Sequence, residues 1–104
     1  MANVFGIADE IERAIRARDT KCVYCGVSMR RHPRRLEATI EHFNNNGPFT
    51  KQHNLAICCR GCNSSKGRKN LLAWFATDYC RERKIHKKTV AAPVRKYLRL
   101  TGAK

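Results

Sequence analysis

Two cysteine pairs set the narrowest limits on this fold. Cys22 and Cys25 form the first pair, Cys59 and Cys62 the second, and the stretch 26–58 lies between them. Four thiolates at that spacing suit one tetrahedral zinc with no open position, which is a structural site. Closing it brings the two knuckles together and makes the intervening chain double back. Gly26 and Gly61 are expected to supply the positive-φ backbone that such knuckles use. Cys58 is an alternative to Cys59, but the three-residue spacing to Cys62 favours Cys59. Cys58 and Cys80 read as reduced core thiols. A chain of 104 residues forms one domain with a thin core, where a metal staple contributes stability.

Six cysteines would read as a disulfide framework in a secreted protein. The opening MANVFGIADEIERAI lacks a basic stretch followed by a long apolar core, so no export signal is expected. No apolar run approaches the ~18 residues of a membrane span, which excludes that class. An intracellular, cytoplasmic location with reduced thiols follows as the expectation.

The formal net charge is +14, from 22 Lys and Arg against 8 Asp and Glu. Such a surplus names a polyanion as partner without naming an activity. Its basic clusters supply the candidate phosphate contacts: Arg30, Arg31, Arg34 and Arg35 around Pro33, then Arg60, Lys66, Arg68 and Lys69 after the second knuckle.

Hydrophobic periodicity places the elements. Val4, Ala8, Ile11 and Ile15 recur at helical spacing, with acids early and arginines late, predicting a helix over 4–18. A strand is predicted over 36–43, ending at Glu41 and His42, and a second over about 54–57. Asn44, Asn45, Asn46, Gly47 and Pro48 form the turn between them. Asn63, Ser64 and Ser65 offer N-cap chemistry for a helix running to about Arg83, with Gly67 as the doubtful residue in its first turns. Its apolar face makes Trp74 a core residue. A short basic helix begins near Pro93 and stops at Gly102. The domain thus divides into an N-terminal helix (1–20), a zinc-stapled core (21–84) and a basic C-terminal extension (85–104).

An acid and an imidazole side by side, Glu41 and His42, precede an Asn-rich turn, and Asn63 emerges just after the last cysteine. Closing the zinc site would turn the His42 imidazole toward the helix start at Asn63. His53 would face away from Asn54, and His32 and His86 sit in basic loops as solvated side chains.

The succession of CVYCG, ATIEHF, HNL and CRGCNSSKGR resembles the HNH endonuclease family, in its zinc-stapled members, from Cys22 to about Lys69. The resemblance implies an α+β fold: a small ββα-metal (His-Me finger) core with a four-Cys structural zinc, flanked by N- and C-terminal helices. It implies a metal-dependent endonuclease acting on double-stranded DNA. His42 would be the general base that activates water, and Asn54 would steady the catalytic loop through backbone hydrogen bonds. Asn63 and Glu41 would hold one Mg²⁺ or Mn²⁺, which stabilises the leaving 3′ oxygen. Glu41 stands where the family commonly has Asp, so its longer carboxylate would have to retract. Products would carry 5′-phosphate and 3′-hydroxyl ends. One site cuts one strand, so a double-strand cut calls for a homodimer, a second visit or a phage or host DNA-processing partner.

The rival reading is a non-catalytic zinc-containing module that binds nucleic acid. It accounts for the charge and both knuckles but leaves Glu41, His42 and Asn63 without a role. A small protein-interaction or ribosome-associated zinc protein accounts for less.

Overall fold

The computed structural model describes residues 6–101; Val4 and Gly102, used above to bound the terminal helices, lie outside them. The centre is an antiparallel pair, β1 (Ala38–His42) and β2 (Leu55–Cys59), with Ala38 opposite Cys59 and His42 opposite Leu55. Alternation along β2 sends Leu55 and Ile57 toward Ile7 and Ile15, and Ala56 and Cys58 toward Tyr24, Trp74 and Cys80. Both faces are covered, so every residue of LAICC is buried. The free edge of β2 is also occupied. Ile57 N–H donates to Asp19 Oδ2 (2.9 Å), and Val23 N–H donates to Ile57 O (3.3 Å).

Helix α1 (Asp9–Arg18) carries its acids in the first turn and Arg16 and Arg18 in the last. It starts later than its periodicity suggests, because Gly6 takes a φ of +74°, outside helical backbone. Ile7 is nevertheless fully buried, reaching the core from the non-helical residues before α1.

The single helix expected from Asn63 to Arg83 is instead three short ones. Helix α2 (Arg60–Lys66) begins three residues early, with Cys59 as its N-cap and Cys59 Sγ accepting from Cys62 N–H at 3.5 Å. Asn63, Ser64 and Ser65 are therefore inside a helix rather than capping one. Gly67, at φ 52° and ψ −126°, ends α2 in a conformation that a side chain would oppose. Asn70 then caps α3 (Leu71–Phe75), its Oδ1 accepting from Ala73 N–H at 2.8 Å, and α4 (Asp78–Arg83) follows extended Thr77. The two breaks re-aim the chain so that Leu71, Trp74 and Cys80 all reach one core.

Trp74 is fully buried, and its indole N–H donates to Ser65 Oγ at 3.0 Å, which satisfies the polar end of the ring. The described part of the C-terminal stretch, 85–101, is more than an appendage. Ile85, Val90 and, on α5 (Ala92–Leu100), Val94 and Leu98 are buried in the same core as Trp74. Each large apolar side chain so buried contributes roughly 1.5–3 kcal/mol. The architecture is α+β: one two-stranded antiparallel sheet and five helices among the described residues, none long and apolar enough to cross a membrane.

Candidate functional site

The knuckles converge as their spacing requires. Sγ atoms of Cys22, Cys25, Cys59 and Cys62 all lie within 4.8 Å of one another. Gly26 takes a φ of +76° in the first knuckle. Gly61 does not make a left-handed turn; it is helical, and a Cβ on it would lie 3.3 Å from Tyr79 Oη and 3.4 Å from Arg35 O. Tyr79 in turn donates its hydroxyl to Cys62 Sγ at 3.3 Å. Four thiols this close do not ionise independently. Hydrogen bonds from Cys25, Cys59 and Cys62 pull the Cys22 thiol far down, whereas Cys59 and Cys62 are pushed up, chiefly by Cys22. A cation is what lets all four become thiolates together, and an all-sulfur donor set suits a structural metal such as zinc. Cys58 and Cys80 lie outside the cluster and are buried.

Beyond β1 the chain loops through 43–54 before returning as β2, and one side chain fastens that loop. Asn54, fully buried, donates from Nδ2 to Asn44 O (3.0 Å) and Pro48 O (2.7 Å), while its Oδ1 accepts from Asn44 N–H (2.8 Å). The loop presents its Phe49 carbonyl to His42 Nε2 at 3.0 Å, and the Phe49 ring meets the imidazole edge-on at 5.7 Å. A carbonyl only accepts, so Nε2 carries the proton and the lone pair of the neutral ring is on Nδ1. His42 is 8% exposed. Its Nε2 engages the loop at the Phe49 carbonyl.

Asn63 is held through its nitrogen, and Glu41 is engaged inside the protein. Asn63 Nδ2 donates to Thr39 Oγ1 (3.0 Å) and Ile40 O (3.1 Å), strapping α2 to β1. Glu41 points to the opposite side of the strand from His42. Its Oε2 accepts from Tyr24 Oη (2.5 Å) and lies 3.3 Å from Lys66 Nζ. Burial pushes the Glu41 carboxyl up, against Lys66 and Tyr24, which pull it down; burial likewise raises Tyr24, which stays a donor. A divalent ion at Glu41 would face a carboxylate already neutralised by an ammonium. The Asn63 hydrogen bonds engage its nitrogen and not the oxygen that could bind a metal, so the misfit to Mg²⁺ or Mn²⁺ lies at Glu41.

The basic side chains divide. Arg30, Arg31, Arg34, Arg35, Arg68 and Lys69 are exposed. Arg60 pairs with Glu37, at 2.6 Å from Nη2 to Oε1, and its guanidinium holds the Glu37 carboxyl below its ordinary value. Lys66 is the correction. Expected on the phosphate-binding surface, it is 0% exposed, because its place on α2 faces the sheet. No signal in the local sequence marks that inward turn. Arg68 and Lys69 line a cleft of about 250 Å³ with Phe43, Asn44 to Asn46, Asn70 and Tyr97, beside the loop that holds His42. A wider cleft, about 480 Å³, is lined by Arg18, Lys21, Cys25, Arg83 and Lys84 among others, and Glu41, His42, Asn54 and Asn63 do not reach it. His32, His53 and His86 are exposed.

Compared with family models, curated proteins and solved structures, the chain matches none.

Proposed function

We propose that this protein is an HNH-type endonuclease that hydrolyses phosphodiester bonds of double-stranded DNA, with a zinc ion bound by Cys22, Cys25, Cys59 and Cys62. One observation carries the reading: the loop fastened by Asn54 offers the Phe49 carbonyl to His42 Nε2 at 3.0 Å. A histidine held this way keeps a fixed tautomer and orientation, which is what a general base needs. In the reaction, His42 Nδ1 takes a proton from water as the oxygen attacks phosphorus. The P–O3′ bond breaks, and the 3′ oxygen takes a proton from solvent, leaving 5′-phosphate and 3′-hydroxyl ends.

The exposed arginines at 30, 31, 34 and 35 and the pair Arg68 and Lys69 supply the phosphate contacts that hold the duplex. Zinc acts as folding energy: it joins the knuckle before β1 to the N-terminus of α2 and so fixes the strand end on which His42 sits. The nucleic-acid-associated, intracellular setting belongs to the same reading.

A non-catalytic zinc module that binds nucleic acid is the second reading, favoured by the occupation of Glu41 by Lys66. One experiment separates the two. Supercoiled plasmid is incubated with the zinc-loaded protein, with Mg²⁺ or Mn²⁺ and with EDTA, and the products are compared with those of His42→Ala. Relaxed or linear DNA from the wild type alone supports the endonuclease; equal products from both proteins, or none from either, remove it.

A further inference from the structure

Lys66 is a long cation with no access to solvent, and such a side chain is stable only where every charge and proton is met. An ammonium has three N–H donors. Lys66 Nζ has three acceptors: His42 O at 3.1 Å, Asn45 Oδ1 at 3.1 Å and Glu41 Oε2 at 3.3 Å. The carboxylate is matched as closely, since Glu41 is 2% exposed and Tyr24 donates to the same oxygen. No buried side-chain nitrogen or oxygen among the described residues lacks a partner.

We infer that the Lys66 ammonium is the resident cation of this site and excludes a divalent ion from Glu41. A metal ion at Glu41 would bring three positive charges, its own two and that of Lys66, around one carboxylate in a dry environment, where like charges repel strongly. Displacing the ammonium instead would leave it buried without a counter-charge and strip His42 O and Asn45 Oδ1 of their donor. Lys66 therefore does two things at once. It neutralises Glu41, and it ties α2 to the end of β1 and to Asn45 in the Asn loop, whose backbone Asn54 fastens. The inference gives the proposed endonuclease site a positioning lysine in place of a carboxylate-bound metal. Its metal-exclusion part stands on geometry alone.

Mn²⁺ binding by the full-length, zinc-loaded protein, read by electron paramagnetic resonance without DNA, tests it. Glu41→Gln keeps the shape and an acceptor oxygen, and it is expected to bind Mn²⁺ as the wild type does. Lys66→Met, which leaves Glu41 without its cation, is expected to bind Mn²⁺ about tenfold tighter or more, and Glu41→Gln/Lys66→Met to lose that gain. Loss of a true ligand would lower affinity by at least the ~10–100-fold typical of even supporting residues. Such a loss in Glu41→Gln overturns the inference, as does Mn²⁺ affinity in a folded Lys66→Met no greater than that of the double variant. Should Lys66→Met not fold, the comparison of wild type with Glu41→Gln decides. Absence of plasmid cleavage by the wild type would remove the endonuclease reading and leave this titration intact.

Discussion

Lys66 and Glu41 meet with Nζ 3.3 Å from Oε2, and neither side chain reaches solvent: 0% and 2% of their surfaces are exposed. The pair joins α2 to β1 directly behind the strand end that carries His42.

Breaking that pair from one side should be costly, because the remaining charge stays buried. Lys66→Met alone is expected to lower unfolding free energy by about 3–5 kcal/mol, with the neutral double variant Glu41→Gln/Lys66→Met losing clearly less. Urea unfolding of the zinc-loaded proteins measures both. Equal losses in single and double variants would mean that the two charges do not act as a pair.

One zinc per chain is expected from elemental analysis of protein purified without chelator, and Cys59→Ser should lower both metal content and thermal stability. Protons compete with the metal for thiolates, so zinc is held at neutral pH and released as the pH falls. A colorimetric chelator follows the release. Cys58→Ser is the control, since Cys58 is outside the cluster; its zinc content should match the wild type.

His42→Ala should reduce cleavage by the ~10²–10⁴-fold of a lost general base while DNA affinity and zinc content persist. Gel-shift and plasmid assays on one preparation separate these quantities. A variant that loses binding together with cleavage would place His42 in the DNA contact instead.

Asn54→Ala removes three hydrogen bonds to the backbone of the Asn loop, at Asn44 N, Asn44 O and Pro48 O. The partners belong to the exposed residues Asn44 and Pro48, which water can reach, so each lost bond costs about 0.5–1.5 kcal/mol. Stability should fall by a few times that of a typical surface change, and cleavage should fall with it as the Phe49 carbonyl leaves His42. Zinc should remain. Hydrogen exchange localised to residues 43–54 would show the loop released; protection there equal to wild type would contradict this role for Asn54.

DNA affinity should fall steeply with salt, and replacing Arg30, Arg31, Arg34 and Arg35, or Arg68 and Lys69, by Ala should flatten that slope by about one unit per lost phosphate contact. Fluorescence anisotropy across a salt series gives the slopes. Unchanged slopes in both sets would move the DNA to another face.

The features settled by the sequence alone are those fixed by short spacing and periodicity. Two C-x-x-C units permit few arrangements other than a shared cluster, and the cluster forms. Two apolar runs on either side of an Asn-rich segment give β1 and β2, although the connection is longer than the turn at 44–48, and the acid-to-base order of residues suits the dipole of α1. The helix near Pro93 forms as its spacing suggests, whereas the burial of Val94 and Leu98 in the central core is not legible in a basic tail. Side-chain direction is a different matter, because it depends on partners far along the chain. Lys66 sits in a basic run and reads as surface; it turns inward only because Glu41, His42 O and Asn45 lie under α2 once the knuckles close. Tyr24 and Asp19, without a role in the sequence reading, find theirs at Glu41 and at the edge of β2 by the same long-range contacts. Gly61, expected as a turn residue, is helical, with Tyr79 and Arg35 packed closely against its Cα. The breaks at Gly67 and Thr77 divide one amphipathic pattern into three helices, so Leu71 and Trp74 on α3 and Cys80 on α4 enter one core from two helices.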